Sequence, residues 1–347
     1  EMQRSLVGSE MCIRDSCAIL FCLCACTEDA SYTAGVWYRR SDFDGVARTD
    51  AAGFTIGNKG YICGGYNGKT TRLADTWEYD IDNDWWTQRA DMPGTVRNAA
   101  TGFPVGNKGY ITTGYNPDQK YLADTWEYDP ETNTWRQMDD FKGGARYYAL
   151  GFGIDNYGYV GTGYNDNYLK DFYRFDPTAA AGSQWTIVNG FGGQKRQGAT
   201  AFVIDGKAYV CGGQNNNSDV SDFWRFDPSA ATPWTQLRDI ANTSDDDYDD
   251  DYTSIVRSYG VSFVIDGKAY LTLGSTAGGS YYSNYWIYDP ETDLWEGDDL
   301  TAFEGSTRIH AVCFSTGTRG IIATGGSGSS SYFDDTWELK PYEYEEE

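Results

Sequence analysis

Six arginines recur along the chain at Arg48, Arg97, Arg146, Arg196, Arg257 and Arg308, separated by 49, 49, 50, 61 and 51 residues. A guanidinium presents a rigid fork of donors that grips a carboxylate bidentately. Gathered around an axis, six of them would make a cationic rim for acidic ligands. The other reading is that each packs against the neighbouring copy and hydrogen-bonds backbone or an acid there, and presence in every copy weighs toward it, because a binding site is asymmetric. One and two residues after each Arg the sequence diverges, giving Thr49-Asp50, Asn98-Ala99, Tyr147-Tyr148, Gln197-Gly198, Ser258-Tyr259 and Ile309-His310. Asp50 and His310, the chain's single histidine, are the groups there able to move a proton near neutral pH. Tyr66-Asn67, Tyr115-Asn116 and Tyr164-Asn165 lie seventeen or more residues further on in the first three copies. Aromatic rings that stack and amides that read hydroxyls or backbone suit a sugar or an extended peptide. Tyr and Asn are also ordinary turn residues.

These residues need a repeating scaffold to place them. Six residues after each Arg comes Phe54, Phe103, Phe152, Phe202, Phe263 or Phe314, and thirteen after it Tyr61, Tyr110, Tyr159, Tyr209 or Tyr270, with Ile321 as the exception. Seventeen after it comes Gly65, Gly114, Gly163, Gly213, Gly274 or Gly325. An aromatic follows (Trp77, Trp126, Tyr173, Trp224, Trp286, Trp337), preceded two residues earlier by Asp75, Asp124, Asp171, Asp222, Asn284 or Asp335. A period near 50 indicates a solenoid, propeller or array. In the first copy GFTI, GYIC, TWEY and WWTQ are strand-like, and GNKG, GYNGK and DIDND are turn clusters. Four short antiparallel strands per copy make one propeller blade.

On these residues the chain resembles the kelch-repeat family: Arg opening strand a, Tyr-x-x-Gly-Gly closing strand b, Trp-x-Tyr-Asp in strand c and Trp in strand d, over residues 37–339. The resemblance implies an all-β, six-bladed propeller. It extends to lipid-anchored proteins of Gram-negative bacteria and to the galactose-oxidase central domain. The Gly pair is read as intact in copies one, four and six (Gly64-Gly65, Gly212-Gly213, Gly325-Gly326), with the second Gly as the residue needing a positive φ. Copy six lacks a strand-d Trp, and the segment around Trp37 is expected to supply it, closing the ring and removing both exposed edges.

The ends are read separately. Residues 5–16 resemble the in-frame translation of a sequencing adapter and are set aside as a scar. Cys17–Ala25 is too short an apolar run to span a bilayer and reads as the core of a signal peptide. Leu23-Cys24-Ala25-Cys26 resembles a bacterial lipobox, which implies lipidation at Cys26, and Thr27-Glu28-Asp29 resembles an outer-surface export signal. The expected organisation is leader over 1–25, tether over 26–34, propeller over 35–341 and acidic tail over 342–347. Of eight cysteines only Cys63, Cys211 and Cys313 lie in the repeats, where they are read as small core hydrophobes.

With 27 basic against 51 acidic residues the net charge is −24, which disfavours nucleic acid. No metal or cofactor pattern is present: one His does not supply a copper oxidase of the galactose-oxidase type, and the sialidase box is missing. Asp80-Ile-Asp82-Asn-Asp84 starts like an EF-hand loop, but Trp85 takes the Gly position and no Glu closes it. The insertion SDDDYDDDY, 244–252, is expected to be a solvated, mobile loop over the face carrying the Arg positions, or else a weak Ca²⁺ site or a shield for that face. The leading expectation is a monomeric, lipid-anchored, surface-exposed propeller of the bacterial outer membrane that binds glycan or protein without catalysis. The resemblance to sialic-acid mutarotases, also six-bladed kelch propellers, supplies an enzymatic alternative with Asp50 or His310 as acid/base. A structural adaptor is the third.

Overall fold

A computed structural model describes residues 32–68 and 71–346. The leader, the adapter-like segment and Cys26 lie outside these residues. The chain forms six four-stranded antiparallel sheets arranged around one axis. In blade one the strands run a (Ala52–Ile56), b (Lys59–Cys63), c (Thr76–Asp80) and d (Trp85–Arg89), each hydrogen-bonded to the next. The innermost strands a of the six blades start at Ala52, Thr101, Leu150, Thr200, Val261 and Val312, and each abuts the next around a complete circle. Among the described residues no helix is long and apolar enough to cross a membrane.

The repeated aromatic positions are explained by pairing. The Phe of strand a lies opposite the Tyr of strand b, so the rings stack: Phe54 on Tyr61 at 5.0 Å, Phe202 on Tyr209 at 5.2 Å. The strand-d Trp closes the contact between blades. Trp185, for example, meets Phe141 and Phe175 at 4.8 and 4.7 Å and is 2% exposed.

Blade six takes its fourth strand from the start of the chain. Tyr32–Arg40 pairs antiparallel with Thr336–Glu346, bringing Trp37 opposite Leu339. Trp37 is buried edge-on against Phe263, Tyr285 and Phe303, between blades five and six. This closes the ring as expected. The paired strands run further than the expected boundaries: the first begins at Tyr32 and the last continues to Glu346, so the acidic end is a strand rather than a free tail. A bulge at Gly35 lets Ala34 also exchange backbone bonds with Asp299 and Thr301, which anchors the extension.

The glycine reading needs two corrections. In blade six the pair is Thr324-Gly325; Gly326 lies one residue on and has no positive φ. Both members of every pair are left-handed. The first lies at φ 57–69° and the second at φ 88–112°. The first is within reach of an L side chain at some cost, and Thr113, Thr162, Leu273 and Thr324 occupy it. At the second, a Cβ would stand 2.8–3.1 Å from a carbonyl oxygen of strand a's entry, as at Gly213 against Gln197 or Gly274 against Ser258, so only Gly fits. Its N–H donates to the Arg carbonyl of the next blade, from Gly65 to Arg97 at 2.8 Å and, completing the circle, from Gly325 to Arg48 at 2.8 Å.

Candidate functional site

The six arginines do not form an exposed rim. Each is at most 1% exposed. Arg48, Arg97, Arg146 and Arg308 bind Asp75, Asp124, Asp171 and Asp335 of their own blade with both terminal nitrogens, and Arg196 binds Asp222. A further donor from each goes to the carbonyl preceding the kept Gly, and Nε bonds the carbonyl two residues back. The recurrent Asp before each strand-c aromatic is thus the partner of the recurrent Arg. Blade five has neutral Asn284 instead, and burial pushes Arg257 down to about 10. These groups are committed to architecture, which corrects their assignment as ligand contacts.

Two residues on, the chain does converge on the axis. Asp50, Ala99, Tyr148, Gly198, Tyr259 and His310 all have φ between 51° and 64°. Each N–H donates to the carbonyl of the equivalent residue in the preceding blade: Ala99 to Asp50 (2.8 Å), Tyr148 to Ala99 (3.0 Å), Gly198 to Tyr148 (3.4 Å), Tyr259 to Gly198 (2.8 Å), His310 to Tyr259 (3.1 Å) and Asp50 to His310 (3.3 Å). The result is a closed circle of six hydrogen bonds on the face formed by the d–a and b–c loops, here called the crown. Symmetric backbone thereby presents five residue types at six equivalent positions, Tyr occurring twice.

Four of these side chains touch. His310 Nδ1 lies 3.0 Å from Asp50 Oδ1, and Tyr148 donates its hydroxyl to the same oxygen at 2.8 Å. The His310 ring stacks on Tyr148 (5.0 Å, 17°) and meets Tyr259 at 4.3 Å. Gly198 makes room, since a Cβ there would stand 2.3 Å from the Tyr259 ring. Burial opposes ionisation of Asp50, but the charge on His310 and hydrogen bonds from His310, Tyr148 and Asn98 outweigh it, so the carboxyl lies below its ordinary value. Burial, then the Asp50 charge, raises Tyr148 well above an ordinary phenol. The cluster is a carboxylate–imidazole pair with a protonated phenol beside it.

Around the axis the b–c hairpins form a tier, with cross-strand pairs Tyr66/Arg72, Tyr115/Tyr121, Tyr164/Tyr168, Gln214/Asp219, Ser275/Tyr281 and Gly326/Tyr332. Blades one to three carry a continuous aromatic terrace. Tyr147 stacks on Tyr121 (5.6 Å, 7°) and touches Tyr115, Tyr148 and Tyr164. Arg72 lies over Tyr66 at 4.5 Å and Tyr115 at 5.4 Å, and its Nε donates to Asn98. Blade four presents Gln214 and Asp219 instead, and blade five Ser275 beside Tyr281. Sequence reading missed the second member of each pair, including Arg72. The signal was available: each precedes the apolar residue (Leu73, Leu122, Leu169, Val220, Tyr282, Phe333) that returns to the blade.

Other expected site residues behave differently. Asn116 is 5% exposed and holds its own turn, donating to the Val96 carbonyl and accepting from the Asp118 and Gln119 amides. Asn165 pairs its backbone with Asn167 in the tip of the next hairpin, and Asn67 occupies the matching place in blade one. The acidic insertion is solvated along most of its length, with Asp245, Asp246, Asp247, Asp250 and Asp251 exposed, but it is anchored to the body. Asp249 is buried and accepts from the Thr243 and Ser244 amides and the Ser244 hydroxyl, while Tyr252 and Ile255 enter the core between blades four and five. Among the described residues no group of three or more His, Cys, Asp or Glu could hold a metal ion. Asp80 instead caps its turn through the Asp82 and Asn83 amides and pairs with Lys59. Cys63 and Cys211 are buried in the blades, whereas Cys313 lines the axial channel, bonding the Ser262 carbonyl.

Fold and crown together define a closed six-bladed β-propeller with one asymmetric face. The Kelch motif matches residues 47–93, 105–142 and 195–236, and the chain is a propeller built of kelch repeats. No curated protein matches it. Among solved structures it is similar to that of YjhT, with a TM-score of 0.70 and 15% identity over 86% of this chain and 95% of that one. At that identity the likeness concerns the fold.

Proposed function

We propose that this chain is a binding propeller whose crown takes a glycan or an extended protein segment. The observation that carries this reading is the circle of six equivalent backbones presenting Asp50, Ala99, Tyr148, Gly198, Tyr259 and His310, flanked by an aromatic terrace on one side and by Gln214, Asp219, Ser275 and Tyr281 on the other. Stacking surfaces beside hydrogen-bonding groups suit a ligand with one apolar and one hydroxylated face. A kelch fold fits a binding role. We further assign the chain to the outer membrane, anchored by lipid at Cys26, on the strength of the lipobox-like Leu23–Cys26; a Cys26→Ala protein that still takes up a clickable fatty acid would refute the anchor.

One observation favours a second, enzymatic reading. The Asp50–His310 pair beside Tyr148 could move a proton during anomer exchange of a sugar, as a mutarotase requires. A glycan array followed by NMR of anomer exchange on any bound sugar separates the readings. Binding without exchange supports the first, and accelerated exchange supports the second. Absence of any sugar binding leaves a protein ligand or a structural adaptor.

A further inference from the structure

The crown contains a hydrogen-bond chain that does not close on itself. Tyr259 Oη lies 2.7 Å from Gln197 Nε2 and 2.5 Å from Gln214 Nε2. With both amides donating, the phenol has its own proton uncommitted, and Gln197 Oε1 is buried without a partner. Turning the Gln197 carboxamide over would let Tyr259 donate to it, but would strand the amino group in the same place. Either way one buried polar group at this spot is unsatisfied, although Gln197 is only 9% exposed. Such groups are rare in folded proteins and call for a partner. Two equivalents of Gln197 in other blades, Thr49 and Ser258, also have buried hydroxyl oxygens without partners.

The charge of the surroundings restricts the ligand. All six repeat arginines are buried and engaged within their blades, so none faces the axis as a carboxylate clamp. The ionisable groups on the axis are Asp50, whose carboxyl is held in its charged form, and His310 paired to it. His310 already faces the Asp50 carboxylate, and the crown's guanidinium, Arg72, stands out in the terrace over Tyr66 and Tyr115 and donates to Asn98, so an anionic ligand on the axis would compete with Asp50 for its partner.

We propose that the axial crown binds an uncharged pyranose, with the Gln197–Tyr259–Gln214 chain reading its hydroxyls and the Tyr147–Tyr148 side supplying the stacking surface. This rests on the glycan-binding reading above and names its ligand class. A pyranose has an equatorial hydroxyl rim and an apolar face, so it complements a polar step facing a ring terrace.

The test is saturation-transfer NMR and calorimetry of the whole chain with maltose, cellobiose, lactose and chitobiose, beside glucuronic acid and N-acetylneuraminic acid at equal concentration. At least one neutral disaccharide should bind, and neither acid should bind more tightly. Tyr259→Phe, which keeps the ring and removes the hydroxyl, should weaken the neutral sugar at least tenfold with a similar melting temperature. Gln197→Met should do the same by a second route. Tighter binding of the acids, or unchanged affinity in both variants, would overturn the subsite while leaving a glycan-binding crown standing. Binding of no sugar at all would remove both.

Discussion

Two rings two residues apart in the same repeat behave oppositely. The outer ring uses one residue type six times, buries it and ties it to its own blade. The inner ring uses five residue types over its six positions on one backbone conformation and leaves them around an axis. The outer ring's identity follows from a requirement common to all blades, since each must satisfy the carbonyl before its kept Gly and hold its strand-c entry, and a forked donor does both. The inner ring's common requirement is met by backbone N–H and C=O alone, so its side chains are free to differ. Recurrence in a repeat protein therefore marks architecture, and divergence at a position of fixed geometry marks the place to seek a ligand.

The contrast predicts a graded set of responses. Arg97→Ala should be the most damaging, costing about 3–5 kcal/mol because it leaves Asp124 and the Thr113 carbonyl without their partner. Urea unfolding measures this; a loss under about 1 kcal/mol would mean that the outer ring is dispensable. Acid comes next. Asp50 titrates below its unfolded value, so its share of stability is present above roughly pH 4 and disappears as pH falls through the lower folded value. Asp75, Asp124 and Asp335 in the outer ring are depressed too and lose stability in the same direction. Asp50→Asn should therefore flatten only part of the acid limb in a pH series of melting temperatures. If it abolished the limb, the outer ring would be contributing nothing.

Asn284→Asp gives Arg257 the carboxylate that the other five arginines have. It should add up to about 1 kcal/mol at neutral pH, raising the melting temperature by a few degrees at most; a decrease would show that the Ser254 bridge to Asn284 and Trp286 is the better solution in that blade. The smallest effect is expected at the inner ring. Tyr259→Phe should stay within about 1 kcal/mol of the parent in urea, because the space left by the hydroxyl lets water from the crown accept from the Gln197 and Gln214 amides. A larger loss would place Tyr259 with the architecture instead.

Much of the fold was legible because the repeat is long and nearly ungapped. Phe54 and Tyr61, seven residues apart, announce paired strands before the fold is known, whereas the pairing of Arg48 with Asp75 of its own blade was decided by the structure. Even ring closure could be read, since blade six lacks a Trp and Trp37 is left over. The acidic loop was legible in part for a physical reason: its composition is that of a solvated segment, which most of it is, but nothing local shows that Asp249 caps a turn or that Tyr252 hydroxyl bonds the Trp295 amide 43 residues on. Likewise Asn116 looks like a ligand contact and is a turn residue. Arg72, although it stands at a readable position, gains meaning only from Tyr66, Tyr115 and Asn98 converging on it from two blades.

Local pattern alone determined the number of blades, the strand order and the residues buried in each sheet, because those depend on alternation and pairing within one repeat. Which unlike side chains meet is a matter of the closed circle. Asp50 and His310 stand 260 residues apart, at opposite ends of the repeat array, and touch because blade six lies beside blade one. That contact, the stack on Tyr148 from across the axis, and the unfinished hydrogen-bond chain at Tyr259 were decided by tertiary structure, since only bending six sheets into a ring brings those positions within bonding distance.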